Sequence, residues 1–175
     1  MPAEEIDLQP VSHITTDAIG QPGKRIFYLQ GWQGTRTITL IVEKIQIQSL
    51  AVGLEQFLSE LYQRYPDLAD AGGDYEETQM RINPPVDPLF RVGELGLGYD
   101  AENDLVVLVA REMVGEEDEA EQARVVRYWC TRAQIRAMCH WGMQVAGRGR
   151  PMCPQCGEPM DSEGHFCPKK NGHKH

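Results

Sequence analysis

The sequence predicts an α+β domain followed by a short metal-binding tail. Two stretches repeat apolar residues at spacings of three and four, which is the period of an amphipathic helix. Each stretch follows three segments rich in β-branched and aromatic residues, which favour strands. The order β-β-β-α therefore occurs twice and predicts helices packed on one or more mostly antiparallel sheets. We assign residues 1–150 to this domain and residues 151–175 to the tail.

The first β-β-β-α unit covers about residues 11–66. Its predicted strands lie at residues 11–19, 25–32 and 36–43, separated by Gly20-Gln-Pro-Gly23 and by the hairpin signal Gln33-Gly34. A helix follows at residues 46–65, and Pro66 ends it. The apolar face of this helix consists of Leu50, Leu54, Phe57, Leu61 and Tyr65. Residues 1–10 are polar, and we expect them to be loose.

The second unit covers about residues 89–147. Its predicted strands lie at residues 89–99, 104–113 and 123–130. Thr131-x-x-Gln134 is a capping box and starts the second helix. The apolar face of that helix consists of Ile135, Met138, Cys139, Gly142 and Val145. Residues 67–88 connect the units, and a loop of this length is a solvated or disordered insertion, or a lid or partner-binding loop.

The tail carries the pattern of a zinc site. Cys153-x-x-Cys156 is followed by a glycine that permits a tight turn, as in a zinc knuckle. His165 and Cys167 stand two residues apart, so both face the same side of an extended segment. These four residues predict a Cys3His zinc site, with His173 or His175 as alternatives to His165. A disulfide or free thiols remain the alternative for the cysteines.

Such a zinc ion would be structural, because four protein ligands leave no open position for a substrate.

The amino-terminal residues lack the basic and apolar regions of a signal peptide, which predicts a cytoplasmic location. The longest apolar run is residues 105–110, too short to cross a bilayer, so we expect no membrane span.

Charge is distributed unevenly along the chain. Residues 1–123 hold 8 Lys/Arg against 23 Asp/Glu, a balance of −15, whereas residues 124–175 hold 9 against 3, a balance of +6. The acidic part argues against nucleic-acid binding as a main function, because it would repel the phosphate backbone. Arg132 and Arg136 stand one helical turn apart and are candidates for binding an anion or an acidic partner. The alternatives are a solvated helix face and attraction between the two ends of the chain.

Catalytic patterns are weak. Gly93-x-x-Gly96-x-Gly98 is not followed by the helix amino terminus that a phosphate loop requires. Cys139 lies on an apolar helix face, and no pattern places a base beside it. The sequence therefore favours a non-catalytic binding or adaptor protein that binds a protein partner or a small anionic ligand. The alternatives are an enzyme acting on a small phosphorylated or anionic molecule and, third, a nucleic-acid-binding module.

Several motifs resemble a known bacterial family. They include the stretch G-Q-P-G-K-R-I-F-Y-L-Q at residues 20–30 and the tail C-P-Q-C-G-E-P-M-D-S-E-G-H-F-C-P at residues 153–168. On these motifs, the chain is similar to the domain of unknown function 3090 family, best known in actinobacteria, over nearly its whole length. The resemblance implies no established activity. It implies a gene context beside a histidine-phosphatase-like and a lipid-kinase-like protein, without naming a substrate.

Overall fold

A computed structural model describes residues 3–21, 23–118 and 120–148. They form a seven-stranded sheet and two α-helices, so the α+β prediction is confirmed. The elements in chain order are β1 (Glu5–Leu8), β2 (His13–Ile19), β3 (Ile26–Gln33), β4 (Arg36–Val42), α1 (Lys44–Arg64), β5 (Pro88–Asp100), β6 (Leu105–Glu112), β7 (Val125–Cys130) and α2 (Arg132–Gly147). The division of the chain at residue 150, and the zinc knuckle beyond it, fall outside the described residues and stay predictions.

The strands lie in the order β1-β7-β6-β5-β4-β3-β2. The strands β2-β3-β4 form one antiparallel meander and β5-β6-β7 form another. Two pairings are parallel, β4 with β5 and β1 with β7. The sheet is therefore mixed, and the prediction of a mostly antiparallel sheet was wrong. The reason is the connection through α1, which returns the chain so that β5 starts beside β4 in the same direction.

The strand β1 was not predicted from the sequence. In Glu5–Leu8, Ile6 and Leu8 point into the core and are 6% and 0% exposed, while Glu5 and Asp7 face outward. Two apolar residues in four give too short an alternation to stand out in a polar segment. The strand forms because β7 offers it a parallel partner, so residues 5–8 are ordered by a contact distant in sequence.

The sheet curls until its two meanders meet. Tyr128 of β7 is fully buried and lies against the backbone of Gly31 in β3. Its hydroxyl donates a hydrogen bond to the carbonyl oxygen of Ile38 in β4 at 3.2 Å. The link between β1 and β2 crosses the same gap, because Val11 donates its N–H to Trp129 and Ser12 donates its N–H to Trp32. These contacts enclose one continuous core.

Both helices pack on this core and on each other. A Cβ at Gly142 of α2 would lie 2.8 Å from Ile47 Cγ2 of α1 and 3.0 Å from Thr16 Cγ2 of β2, so the absence of a side chain permits this approach. The predicted capping box of α2 is confirmed, with Thr131 and Gln134 exchanging hydrogen bonds of 3.0 and 2.8 Å. Neither helix of the described residues combines the length and apolar character needed to cross a lipid bilayer.

We expect Gly31→Ala to lower the free energy of unfolding by about 1–3 kcal/mol, because the new methyl would lie 2.5 Å from Tyr128 Cδ1 in a packed core. Urea unfolding of the full chain measures the change. Gly53→Ala is the control: its site in α1 is open, so the same substitution should raise stability by about 0.5–1 kcal/mol through helix propensity. Equal stability of Gly31→Ala and wild type would show that the sheet closes without this contact.

Candidate functional site

The long connection between the two units lies along α2. Arg132 donates a hydrogen bond to the carbonyl oxygen of Ala69, and Arg136 donates one to that of Ala71. One helical turn further, His140 Nδ1 lies 3.0 Å from the carbonyl oxygen of Gly73. Four residues of helix rise about 6.0 Å and two residues of extended chain about 6.6 Å, so the two spacings match.

The remainder of this connection is held against the sheet. Thr15 of β2 donates to the carbonyl oxygen of Met80 at 2.6 Å. The Gln30 side chain exchanges two hydrogen bonds with the backbone of Asn83, at 2.8 and 3.1 Å. Between residues 69 and 83 the loop is therefore fastened by side chains from both β-β-β-α units.

The structure brings Arg132 and Arg136 together on one side of α2, and each already binds a carboxylate. Arg132 makes a two-pronged ion pair with Asp104 at 2.9 and 3.0 Å, and its side chain is 10% exposed. Arg136 forms the same kind of two-pronged ion pair with Glu55, with hydrogen bonds of 3.1 and 2.8 Å. Binding of an external anion at these arginines stays a prediction, and such an anion would compete with Asp104 and Glu55.

The Arg132 pair sits in a small polar network. Arg132 holds the pKa of Asp104 below its usual range, and the Tyr99 hydroxyl, which donates to Asp104 at 2.7 Å, adds to this effect. Burial and the Asp104 carboxylate raise the pKa of Tyr99 to about 12. The network joins the end of β5, the start of α2 and the loop carbonyl of Ala69.

Every described arginine of the basic carboxyl-terminal part pairs with an acidic residue of the preceding part. The pairs are Arg124 with Glu112, Arg127 with Glu5 and Asp7, Arg132 with Asp104, Arg136 with Glu55 and Asp70, and Arg148 with Glu77. Within the described residues, the arginines of the basic part and the carboxylates of the acidic part therefore attract each other inside the fold.

The two described cysteines are free and buried. Burial raises the pKa of Cys130 well above its ordinary value and that of Cys139 to about 12. Both are therefore protonated at neutral pH, and since the thiolate is the reactive form, neither is an activated nucleophile. The sequence interpretation of Cys139 as a residue of the apolar helix face agrees with this placement.

The predicted zinc ligands Cys153, Cys156, His165 and Cys167 lie outside the described residues, as do His173 and His175. Within residues 3–148, apart from positions 22 and 119, no three His, Cys, Asp or Glu side chains converge in a way that would hold a metal ion. The zinc assignment stays a prediction.

An additional feature, not predicted from the sequence, is an open edge on β5. β5 pairs with β4 only between Pro88 and Arg91, because β4 ends at Val42 and the chain turns into α1. A bulge at Gly93, where a Cβ would lie 3.0 Å from Met113 Cα, shifts the register with β6. Beyond the bulge, residues 94–100 pair with β6 alone among the described part of the chain.

A groove of about 310 Å³ runs between this edge and α1. One wall is formed by residues 93–97 of β5, and the other by Ile45, Gln46, Ser49, Leu50 and Gly53 of α1. Gln46 anchors the helix to the strand, since its side-chain amide donates to the carbonyl oxygens of Val92 and Gly93 at 3.1 and 3.3 Å.

The helix α1 also exposes two large apolar side chains, of which Ile45 lines the groove and Val52 is the chain neighbour of the lining residue Gly53. Ile45 and Val52 lie two turns apart on the same face and are 65% and 69% exposed. Three features of the sequence relate to the groove. They are the two apolar residues outside the apolar face of the predicted helix, the glycine at residue 53 within that helix, and the glycines at residues 93, 96 and 98. None of them predicts a groove without the sheet order.

We expect the protein to lose stability in acid, below about pH 4. The pKa of Asp104 is lowered by Arg132 and that of Glu112 by Arg124, so folding favours both ionised forms. Their contribution is complete above the ordinary carboxyl pKa of about 4 and is lost as the pH falls through the lower folded values. Urea unfolding between pH 7 and pH 2.5 measures this.

Asp104→Asn should cost roughly 1–2 kcal/mol at pH 7 and flatten the acid dependence, because it removes charged hydrogen bonds from Arg132. Glu102→Gln is the control, since its carboxylate has no ion-pair partner within the described residues. An Asp104→Asn variant with the wild-type acid profile would contradict the assignment.

The family of the chain follows from comparison with known proteins. A family model described as "Protein of unknown function (DUF3090)" matches residues 6–167. No curated protein and no solved structure matches the chain. The matched residues include both β-β-β-α units, both walls of the groove and all four predicted zinc ligands. Because the match spans most of the 175 residues, the chain belongs to the DUF3090 family, as its motifs had indicated.

Proposed function

We propose that this protein is a non-catalytic binding or adaptor protein. Its folded part presents the groove between α1 and β5 to a protein partner, and its tail binds one structural zinc ion. The observation that carries the proposal is the groove itself, a mainly apolar hollow lined by the exposed side chain of Ile45, with the exposed Val52 next in the chain to the lining residue Gly53. Exposed apolar surface next to a concave site is typical of protein-interaction sites.

The chemistry of the lining supports binding over catalysis. Of the ten described residues that line the groove, Glu94 alone carries a charge, and its carboxylate pairs with Arg111 at 3.3 Å. Within the described part of the chain, the lining contains no histidine or lysine that would act as a base for the Ser49 hydroxyl. The groove is thus suited to an apolar ligand surface, whereas a small phosphorylated substrate needs converging cationic groups.

The zinc part of the proposal rests on the Cys3His set of the tail. Three thiolates and one imidazole suit tetrahedral Zn²⁺, and a site with four protein ligands orders a short segment that lacks a large apolar core. In this proposal, the metal holds residues 151–175 in a defined shape at the end of the folded part.

We expect the purified full-length protein to carry about one zinc ion per chain, bound through the four named ligands. Elemental analysis of wild type, Cys156→Ser and Cys139→Ala measures the content. Cys156→Ser should lose most of the zinc, whereas Cys139→Ala, at a cysteine buried in α2, should keep it. A metal-free wild type, or a Cys156→Ser variant with undiminished zinc, would refute the site.

A groove-blocking variant tests the binding function. A Cβ at Gly53 meets no atom within 4 Å, so Gly53→Leu should fill the groove while leaving the fold intact. Gly72 has an equally open site in the loop and provides the matched control Gly72→Leu. We expect a partner captured from the native host and then purified to bind wild type and Gly72→Leu and to bind Gly53→Leu at least about tenfold more weakly. Equal binding to all three proteins would show that the groove is not the binding site for the partner.

A further inference from the structure

We propose that the groove binds an extended peptide segment of a partner protein by adding it as a new strand to the open edge of β5. This inference rests on the proposed binding function and specifies the form of the partner. The added strand would lie between β5 and α1, hydrogen-bonded to the first and packed against the second. Peptide recognition of this type is known from PDZ and PTB domains.

The way β5 lines the groove identifies an edge. Alternate residues of a strand face opposite sides of a sheet, so a pocket on one face touches every second residue. Here five consecutive residues, 93–97, line the groove. The groove therefore runs along the side of the strand, where its backbone N–H and C=O groups point.

Those backbone groups have room for a partner. In an antiparallel pair, alternate residues bond to the neighbouring strand, and the residues between them direct their N–H and C=O groups away from it. Across residues 94–98, β6 binds the backbone groups that point toward it. The described residues provide no hydrogen-bond partner for the backbone groups that point away from β6. A peptide of about five residues would span this stretch, roughly 17 Å at 3.3–3.4 Å per residue.

The other edges of the sheet are protected. β1 is four residues long and carries Glu5 and Asp7, and short charged edges resist strand addition. β2 is covered by the loop, through the hydrogen bonds from Thr15 to Met80 and from Ile82 to Asp17. Among the described strands, β5 alone leaves a long edge that is glycine-rich and open.

The second wall determines what kind of strand fits. α1 faces the β5 edge across the same groove, so a single strand can enter the space between them. A partner that offered the edge of a whole sheet would collide with α1. A Cβ at Gly53 or Gly96 would meet nothing within 4 Å, so the space above them accepts an aliphatic side chain from the peptide. Ile45 and Leu50 supply the apolar contacts around that side chain. We therefore expect a peptide with apolar residues at alternate positions.

The probe for the test is obtained by selection. Random heptapeptides displayed on phage are selected on the immobilised full-length wild-type protein, with counter-selection on Gly53→Leu. The most enriched heptapeptide is synthesised with blocked ends and a fluorescent label, and its affinity is measured by fluorescence anisotropy. Gly53→Leu and Gly96→Val should each weaken binding by about tenfold or more, and Gly72→Leu should not.

Methylation of the peptide backbone distinguishes strand addition from other binding modes. N-methylation at every second residue of the probe should weaken binding by about tenfold per site, since each change removes an N–H donor and obstructs the edge. N-methylation at the intervening residues should have less than roughly a threefold effect, since those groups face α1 and solvent. Circular dichroism of each protein variant confirms that the fold is retained.

Three results would overturn this inference. The first is the failure of selection to enrich any peptide that depends on Gly53. The second is a peptide whose binding depends on Gly53 but shows no two-residue pattern on N-methylation, which would leave the groove a binding site of another kind. The third is a wild-type dimer in sedimentation analysis that Gly53→Leu dissociates, since a second copy would then be the occupant. The partner-capture experiment decides the proposed function independently of all three.

Discussion

The packing of Tyr128 on Gly31 joins the two halves of this molecule. The ring comes from β7 and the bare backbone from β3, so the contact requires the sheet to curl through β6, β5 and β4. Because the two meanders are held together through the interior, the direct pairing of β4 with β5 can be short. The open edge of β5 is therefore compatible with a stable fold, since the core closes elsewhere.

Electrostatics reinforces this arrangement between residues distant in sequence. The arginines lie on β7, on α2 and at Arg148 directly after α2, and their carboxylate partners come from β1, α1, the long loop and the β5-β6 turn. The two arginines of α2, Arg132 and Arg136, have side chains that are 10% and 24% exposed, and both also donate hydrogen bonds to loop carbonyls. The basic end of the sequence thus neutralises part of the acidic body, and the groove lies outside this set of ion pairs.

Local patterns predicted most of the fold. The long amphipathic period of α1, the capping box at Thr131 and the glycine turn after Gln33 each depend on nearby residues, and each is present in the structure. β1 and the parallel pairs depend on which strand lies beside which, and single-sequence patterns do not contain that information. The groove was missed for the same reason, because its walls are about 45 residues apart in the chain.

The spacing match between α2 and the loop constrains how this region can change in evolution. The carbonyl groups of Ala69, Ala71 and Gly73 face the helix because extended chain repeats every two residues. An insertion of one residue within 69–73 would turn the following carbonyls away from Arg136 and His140, whereas an insertion of two would restore their direction. Homologues should accordingly tolerate length differences in the loop outside this stretch, and within it should vary by substitution.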